Sequence, residues 1–342
     1  MLNTKINDNY NANDVINPND LRKRILNIDS RFRSSFTKYT TDFSFSLEHT
    51  YKNIIRLRIA SIEIPNMIYT FAGNNDSFTV KAYDIANIVR VVKIIIPHGN
   101  YSSVELISLL QSLFDSELRD TYGIFLNIEV NSINAKVTIS HAGLASVPLP
   151  LQLVPTQPVP TQPPKAFVLD FSTGSQRTRK HNYGLGFNLG FSKQCYKVSN
   201  DTFSQTGECC MDVVGDTYMF LCVNDFHTVE QKTDETYLQC LAKIIIREDR
   251  FAVIYDDGST LMSNEIVFPS PIDLKVLNVK LVDPYGDIVD LNCMNFSFSL
   301  EITEVLNTSL YDFYRNYIWL GTIPSIKKAS GSQQGLLKGI GP

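Results

Sequence analysis

Long apolar runs are missing from this chain. The most hydrophobic stretch, Ile88 to Ile96, is broken by Arg90 and Lys93. It is far too short to cross a bilayer, which takes about 20 apolar residues in a helix, so any membrane contact is expected to be peripheral. The first twenty residues are Asn-rich and charged rather than apolar, so no secretory signal is expected and the chain is expected to stay in the cytosol. Charged residues make up only 19% of the 342, against 44% hydrophobic ones, which excludes disorder of the whole chain. Tryptophan occurs once.

Cysteine is scarce, and five of the six fall between Cys195 and Cys240, including the adjacent Cys209 and Cys210. No CxxC or Cys/His spacing suited to zinc accompanies them. They read as reduced or buried thiols, although a particle maturing under oxidising conditions could pair some of them; the sequence does not assign such pairs. The usual catalytic signatures are absent as well: no GxSxG, no HExxH and no phosphate-binding Gly-rich loop. His181 lies in a basic turn with Arg177, Arg179 and Lys180, and His227 follows Asp225, but neither sits in a nucleophile–base arrangement. Asp256-Asp257-Gly258 reads as a turn between two β-runs rather than as an acid pair or a calcium loop. No enzymatic activity, cofactor or metal is expected.

What the chain has in quantity is β-forming side chains. Sixteen Tyr and twenty Phe stand beside many Ile and Val, and these residues suit a pleated, half-buried surface. The hexapeptide Phe43-Ser44-Phe45-Ser46-Leu47-Glu48 recurs unchanged as Phe296-Ser297-Phe298-Ser299-Leu300-Glu301. Period-2 alternation puts the Phe and Leu residues of both copies on a core face and Ser and Glu outside. From Ile54 to Ile64 the apolar parity shifts from Ile55, Leu57 and Ile59 to Ile62 and Ile64, which predicts a bulge near Ala60-Ser61. A second parity change runs from Ile272, Leu274 and Val276 to Leu277, Val279 and Leu281. Asp283-Pro284-Tyr285-Gly286 then spells a type I turn, predicting a hairpin-like return into the second hexapeptide.

One helix is predicted. Ser102 and Glu105 form a capping box, and Leu106, Ile107, Leu110, Leu113 and Phe114 make one apolar stripe. Phe125 to Val130 and Ala135 to Ser140 read as a hairpin. In Gly184-Leu185-Gly186-Phe187-Asn188-Leu189-Gly190-Phe191 the glycines lack dinucleotide-loop spacing and read as turn and close-approach positions.

Residues 1 to 20 hold seven asparagines. Ordering such a segment costs about 20–40 kcal/mol of backbone entropy, so it is expected to become fixed only on a large partner surface. Between Val154 and Pro163 the pentad Val-Pro-Thr-Gln-Pro is written twice, a stiff spacer rising about 3.1 Å per residue. Net charge is −4, so nucleic acid is not an expected partner. Basic residues nevertheless gather near both ends: Arg22, Lys23, Arg24, Arg31 and Arg33, then Lys327, Lys328 and Lys338. Tyr311, Phe313, Tyr314, Tyr317 and Trp319 form an aromatic cluster before the basic tail. The interface candidates are therefore Arg22, Lys23, Arg24, Arg31, Arg33, Tyr311, Phe313, Tyr314, Tyr317, Trp319, Lys327 and Lys328; solvated arms and covering of the chain's own domain are the competing readings.

In order, Ile28-Asp29-Ser30-Arg31-Phe32-Arg33, the first hexapeptide with Ile59 to Asn66, Ile96 to Ser102, Leu185 to Phe191, and Leu281 to Gly286 with the second hexapeptide resemble minor capsid or virion structural proteins of large icosahedral nucleocytoplasmic double-stranded DNA viruses. The likeness spans roughly residues 25 to 305; the proline spacer and the long Asn-rich arm depart from the family pattern. It implies a non-enzymatic protein that cements or scaffolds the shell, on its inner side and assembled in the host cytoplasm. The implied partners are the major capsid protein and other minor capsid proteins, with the inner membrane surface and self-association as further candidates. A penton or spike-base protein for host attachment is the alternative.

The expected fold is mainly β, with jelly-roll-like antiparallel β-sandwiches, one short amphipathic helix at about 102–118 and extended terminal arms. The expected divisions are an N-terminal arm (1–40), a first β-region with the helix (41–147), a Pro-rich linker or loop (148–165), a second β-region (166–308) and an aromatic, basic tail (309–342).

Overall fold

A computed structural model describes residues 20–34, 39–84, 86–141, 165–172, 184–199, 202–232, 237–258 and 263–309. Its strands are β1 (Leu21–Asp29), β2 (Asp42–Pro65), β3 (Ser77–Tyr83), β4 (Val89–Ile95), β5 (Leu126–Val130) and β6 (Val137–His141). There follow β7 (Phe167–Asp170), β8 (Cys195–Val198), β9 (Ser204–Thr206), β10 (Tyr218–Val223) and β11 (Val229–Lys232). The last are β12 (Tyr237–Cys240), β13 (Ala242–Ile245), β14 (Val253–Asp256), β15 (Ile266–Val282) and β16 (Ser297–Val305). The protein is mainly β, and its strand pairs are antiparallel, as composition and alternation led one to expect.

The strands form two bodies. The larger is a seven-stranded sheet in the order β1-β16-β2-β15-β10-β13, with β14 pairing β2 beyond the stretch that β15 occupies. The 24-residue β2 is its spine, bonded to β16 on one side and to β15 and then β14 on the other. The smaller body sets the sheet β4-β3-β7-β8 against β5-β6-β9 and a helix.

Both hexapeptide copies lie in the large sheet. Phe43, Phe296, Phe298 and Leu300 are buried in its core, and the rings of Phe43 and Phe296 meet edge-on at 5.9 Å. The bulge falls where parity put it: Ser299 faces Ser61 and Leu300 faces Ile59, leaving Ala60 as the extra residue. A second irregularity leaves Ile55 over, and its side chain is buried with Val305 on the opposite face. In β15, Leu274 is buried, Val276 exposed and Leu277 buried again, the parity change read from the sequence.

The helix α1 (Ser103–Leu113) starts at the expected box: Ser102 Oγ accepts from Glu105 N–H (3.3 Å) and the Glu105 carboxylate accepts from Ser102 N–H (2.8 Å). It runs on through a wider π-helical segment, Phe114–Arg119, and a last turn, Asp120–Tyr122, before Gly123 stops it with a left-handed backbone (φ +66°). Leu106, Leu110, Phe114 and Leu118 are its buried stripe. Gly186 and Gly190 serve close approach: a Cβ on Gly186 would enter the Phe171 ring, and Gly190 sits at φ +86° against the Cys209 carbonyl.

Three expectations need correction. Residues 21–29 are not arm: Leu21–Asp29 is a full strand of the large sheet, because Leu26 and Ile28 reach its core. The return at Asp283–Gly286 closes with a Gly286 N–H bond to Asp283 O (3.0 Å) and carries the chain back only as far as Val289, which bonds Leu281. The second hexapeptide then goes to the far side of β2, between β2 and β1, rather than beside β15. The sheets also ignore the division of the chain into an early and a late β-region: β2 pairs with β14, β15 and β16, while β7, β8 and β9 join the small body. Residues 1–19, the proline-dense stretch to Pro164 and the segment from Leu310 onward lie outside the described residues, as do His181 and its basic neighbours.

Candidate interface at the edge of the large sheet

The N-terminal basic residues lie along β1, an edge strand of the large sheet, and in the turn that follows it. In β1 the side chains of Leu26 and Ile28 turn into the core and carry Arg22 and Arg24 on the same face of the strand; Lys23, Ile25 and Asn27 point the other way. Asp20 O accepts from Leu306 N–H (2.9 Å), Ser30 N–H donates to Phe296 O (2.9 Å), and the register between them is unbroken. In an antiparallel pair, hydrogen-bonded positions alternate, so even-numbered residues turn their backbone groups toward β16. The N–H and C=O of Leu21, Lys23, Ile25 and Asn27 therefore face outward. Among the described residues no strand pairs with that edge.

The charges on it are partly neutralised from β16. Lys23 Nζ lies 2.9 Å from Glu301, which also holds Arg58 at 2.6 Å, and Arg24 Nε lies 2.9 Å from Glu304. The Glu301 carboxylate is kept below the usual range by Arg58 first and then Lys23, and the Arg58 guanidinium is raised in return. Past the strand, Asp29 accepts both the backbone N–H and the guanidinium of Arg31, and this pairing holds its carboxyl below the ordinary value. Arg33 donates to Ser30 O (2.7 Å) and Asn295 Oδ1 (3.2 Å), fastening the turn after β1 to the segment before β16.

Two apolar side chains stand among these cations. Ile25 is 67% exposed and Phe32 72% exposed, with the Arg31 guanidinium 5.8 Å from the Phe32 ring centre. Neither was singled out in the sequence; Ile25 carries a signal there, an apolar residue on the charged face of an amphipathic strand. Of the predicted interface residues, Arg22, Lys23 and Arg24 lie at the start of β1 and Arg31 and Arg33 just past its other end, so the strand carries them along one edge without bringing the two groups into contact. Tyr311, Phe313, Tyr314, Tyr317, Trp319, Lys327 and Lys328 lie outside the described residues.

A second feature, invisible in the sequence, is the seam between the bodies. The chain leaves β2 through Asn66 to Thr70, and Arg250 clamps that connection. Its guanidinium donates to Asn66 Oδ1 (3.3 Å), Ile68 O (3.0 Å), Thr70 Oγ1 (2.7 Å) and Val214 O (3.0 Å). Burial lowers its pKa. Beside it a cleft of about 560 Å³ is lined by Tyr69, His98, Asn188, Asp212, Asp287 and Asn292 among others. Among the described residues no three His, Cys, Asp or Glu side chains are grouped to hold a metal, and no helix is long and apolar enough to cross a membrane.

The fold and this edge define an antiparallel β-protein of two sandwich-like bodies with one long, basic, open strand edge. No protein-family model matches the chain, and no curated protein does. Among solved structures it is similar to the selenomethionine-labelled mavirus penton protein, at 8% identity and a TM-score of 0.39, over 82% of this chain and 99% of that one. A likeness of that degree carries no functional argument, and the reading below stands on the chain's own residues.

Proposed function

We propose that this is a non-enzymatic structural component of an icosahedral virus shell, a minor capsid protein that bridges major capsid capsomers and other minor capsid proteins from the inner side of the capsid. The open edge of β1 carries the reading. A nine-residue strand whose alternate residues turn their backbone groups outward, carrying Arg22 and Ile25 and followed by Arg31 and Phe32, offers a template for an added strand of acidic or mixed character from a neighbour. Charged side chains are one means by which proteins blunt such edges; Arg22, Lys23 and Arg24 set this long, continuous edge against basic strands while leaving it open to an acidic one. The motif order given above supports the same class.

Cross-linking mass spectrometry on intact particles tests the proposal. Links from Lys23 to the major capsid protein or a minor neighbour are expected. Ile25→Pro is the matching variant: it removes an N–H that faces outward and spares the β16 ladder, so the isolated protein should keep its fold while incorporation into particles falls. Absence of the protein from purified particles, or unchanged incorporation of Ile25→Pro, would overturn the edge-docking reading. Incorporation that survives loss of this edge, coupled with binding to host cells, would favour the penton or spike-base alternative.

A further inference from the structure

We propose that Cys222 and Cys240 are a redox-sensitive pair that closes to a disulfide and locks the β11–β12 hairpin onto the large sheet. Their Sγ atoms lie 2.9 Å apart, across two strands that are not themselves paired. A disulfide requires about 2.05 Å, so closure asks for a movement of roughly 1 Å within two side chains. Nothing comparable is available elsewhere: Cys195, Cys209, Cys210 and Cys293 are exposed, and among the described residues no other cysteine pair makes a sulfur contact.

The surroundings divide the roles. Cys240 is fully buried with Phe220 and Val282, whereas Cys222 is half-buried on β10, directly opposite Lys280 of β15. The hydrogen bond with Cys240 and the positive charge of Lys280 favour the Cys222 thiolate, and the same bond together with burial pushes the Cys240 thiol up. Cys222 is therefore the attacking thiol and Cys240 the resolving one. The oxidant is a small-molecule disulfide, RSSR. The Cys222 thiolate attacks one sulfur, the S–S bond breaks, and the first RS⁻ leaves as RSH with the proton Cys222 gave up. Cys240 Sγ then attacks Cys222 Sγ, and the second RS⁻ leaves with the Cys240 proton. Two protein thiols are oxidised to one disulfide and RSSR is reduced to two thiols.

The product would join β10 of the large sheet to β12, whose only ladder partner among the described strands is β11. The loop between the two cysteines would be closed covalently. Reduced, the hairpin is held by the small apolar contact of Tyr218, Phe220, Val229 and Leu238, by Gln231 donating to Pro284 O (2.8 Å), and by the run of β12 into β13, where Leu241 N–H donates to Leu221 O (2.8 Å); oxidised, it gains a covalent tie to β10.

The full chain, reduced and then incubated with oxidised glutathione, is alkylated, digested without reductant and mapped by mass spectrometry. A Cys222–Cys240 peptide pair lacking two hydrogens, reversed by dithiothreitol, is expected, with the apparent melting point raised by about 4 °C. Cys240→Ser should lose both effects and retain glutathione on Cys222, while Cys293→Ser should keep both. Full alkylation of Cys222 and Cys240 in the oxidised wild-type protein, or their linkage to other cysteines, would overturn the assignment irrespective of how the variants fold.

Discussion

Replacing Arg250 by alanine should loosen the joint between the two β-bodies without unfolding either. The guanidinium makes four hydrogen bonds, but they do not weigh equally. Val214 is exposed and Thr70 half-buried, and Thr70 Oγ1 also donates to Val214 O (3.4 Å), so water and that bond take over there at little loss. Ile68 O also accepts from Asn100 Nδ2 (3.2 Å) and stays partly satisfied. The loss concentrates on Asn66, which is buried and whose amide donates to Glu248 O (2.8 Å) and Asp249 O (3.2 Å). One buried charge-assisted bond at about 1.5–3 kcal/mol, plus the packing of the aliphatic stem, gives an expected destabilisation of about 2–3 kcal/mol. Arg250→Lys should lose about half as much, because an ammonium reaches fewer of these divergent acceptors than the planar fork does. Urea unfolding gives the energy, and amide exchange gives its location. Protection should drop at Ile68 to Phe71 and around Val214 while the β2–β16 ladder stays protected. A change within about 0.5 kcal/mol, the range of ordinary surface substitutions, or exchange rising uniformly through the large sheet, would refute this account of the clamp.

The edge network makes a pH prediction. Glu301 and Asp29 have depressed folded-state pKa values, so the stability they contribute is complete above their unfolded values, about 4.3 and 3.9, and is lost as pH falls through the lower folded values. Glu301→Gln should flatten the loss of unfolding free energy between about pH 5 and pH 2; an unchanged slope would show that Lys23 and Arg58 contribute nothing through this carboxylate. Gly186→Ala places a methyl group in the Phe171 ring and should destabilise the small body by about 1–3 kcal/mol, seen as early melting of the near-ultraviolet aromatic signal. Ser102→Ala removes one half of the capping box and should cost about 1 kcal/mol, with increased amide exchange confined to the first turn of α1.

Local periodicity made much of the fold legible. The Ala60 bulge, the β15 parity change and the capping box are statements about neighbours in sequence, and a period of 2 or 3.6 reports them directly. The order of strands is not such a statement. Both hexapeptides announce strands, but only tertiary contacts place the second between β1 and β2, more than 230 residues from one partner and about 270 from the other. The reading of Arg22 to Arg24 as arm failed for a related reason: on an edge strand only Leu26 and Ile28 need core contact, so half of its length keeps the charged composition of a solvated segment. Arg250 gave no signal at all, since a lone Arg in a charged loop looks solvated until the backbone of Asn66 to Thr70 is folded around it.

The 24-residue β2 also fixes the order in which the molecule can be made. Everything in the small body, from Phe71 to Thr206, is encoded between β2 and the next strand of the large sheet, β10. On the ribosome, which delivers the chain from its N-terminus, β2 emerges early and waits. The small body can close around its own core while β2 has none of its ladder partners, because β14, β15 and β16 lie some 190 to 250 residues downstream. The large sheet is thus a late, high-contact-order event: until β14 and β15 are made the spine is an unpaired strand more than twenty residues long, and its other edge stays open until β16 is complete at Val305, which makes it the stretch of nascent chain with the greatest need of protection from other strands.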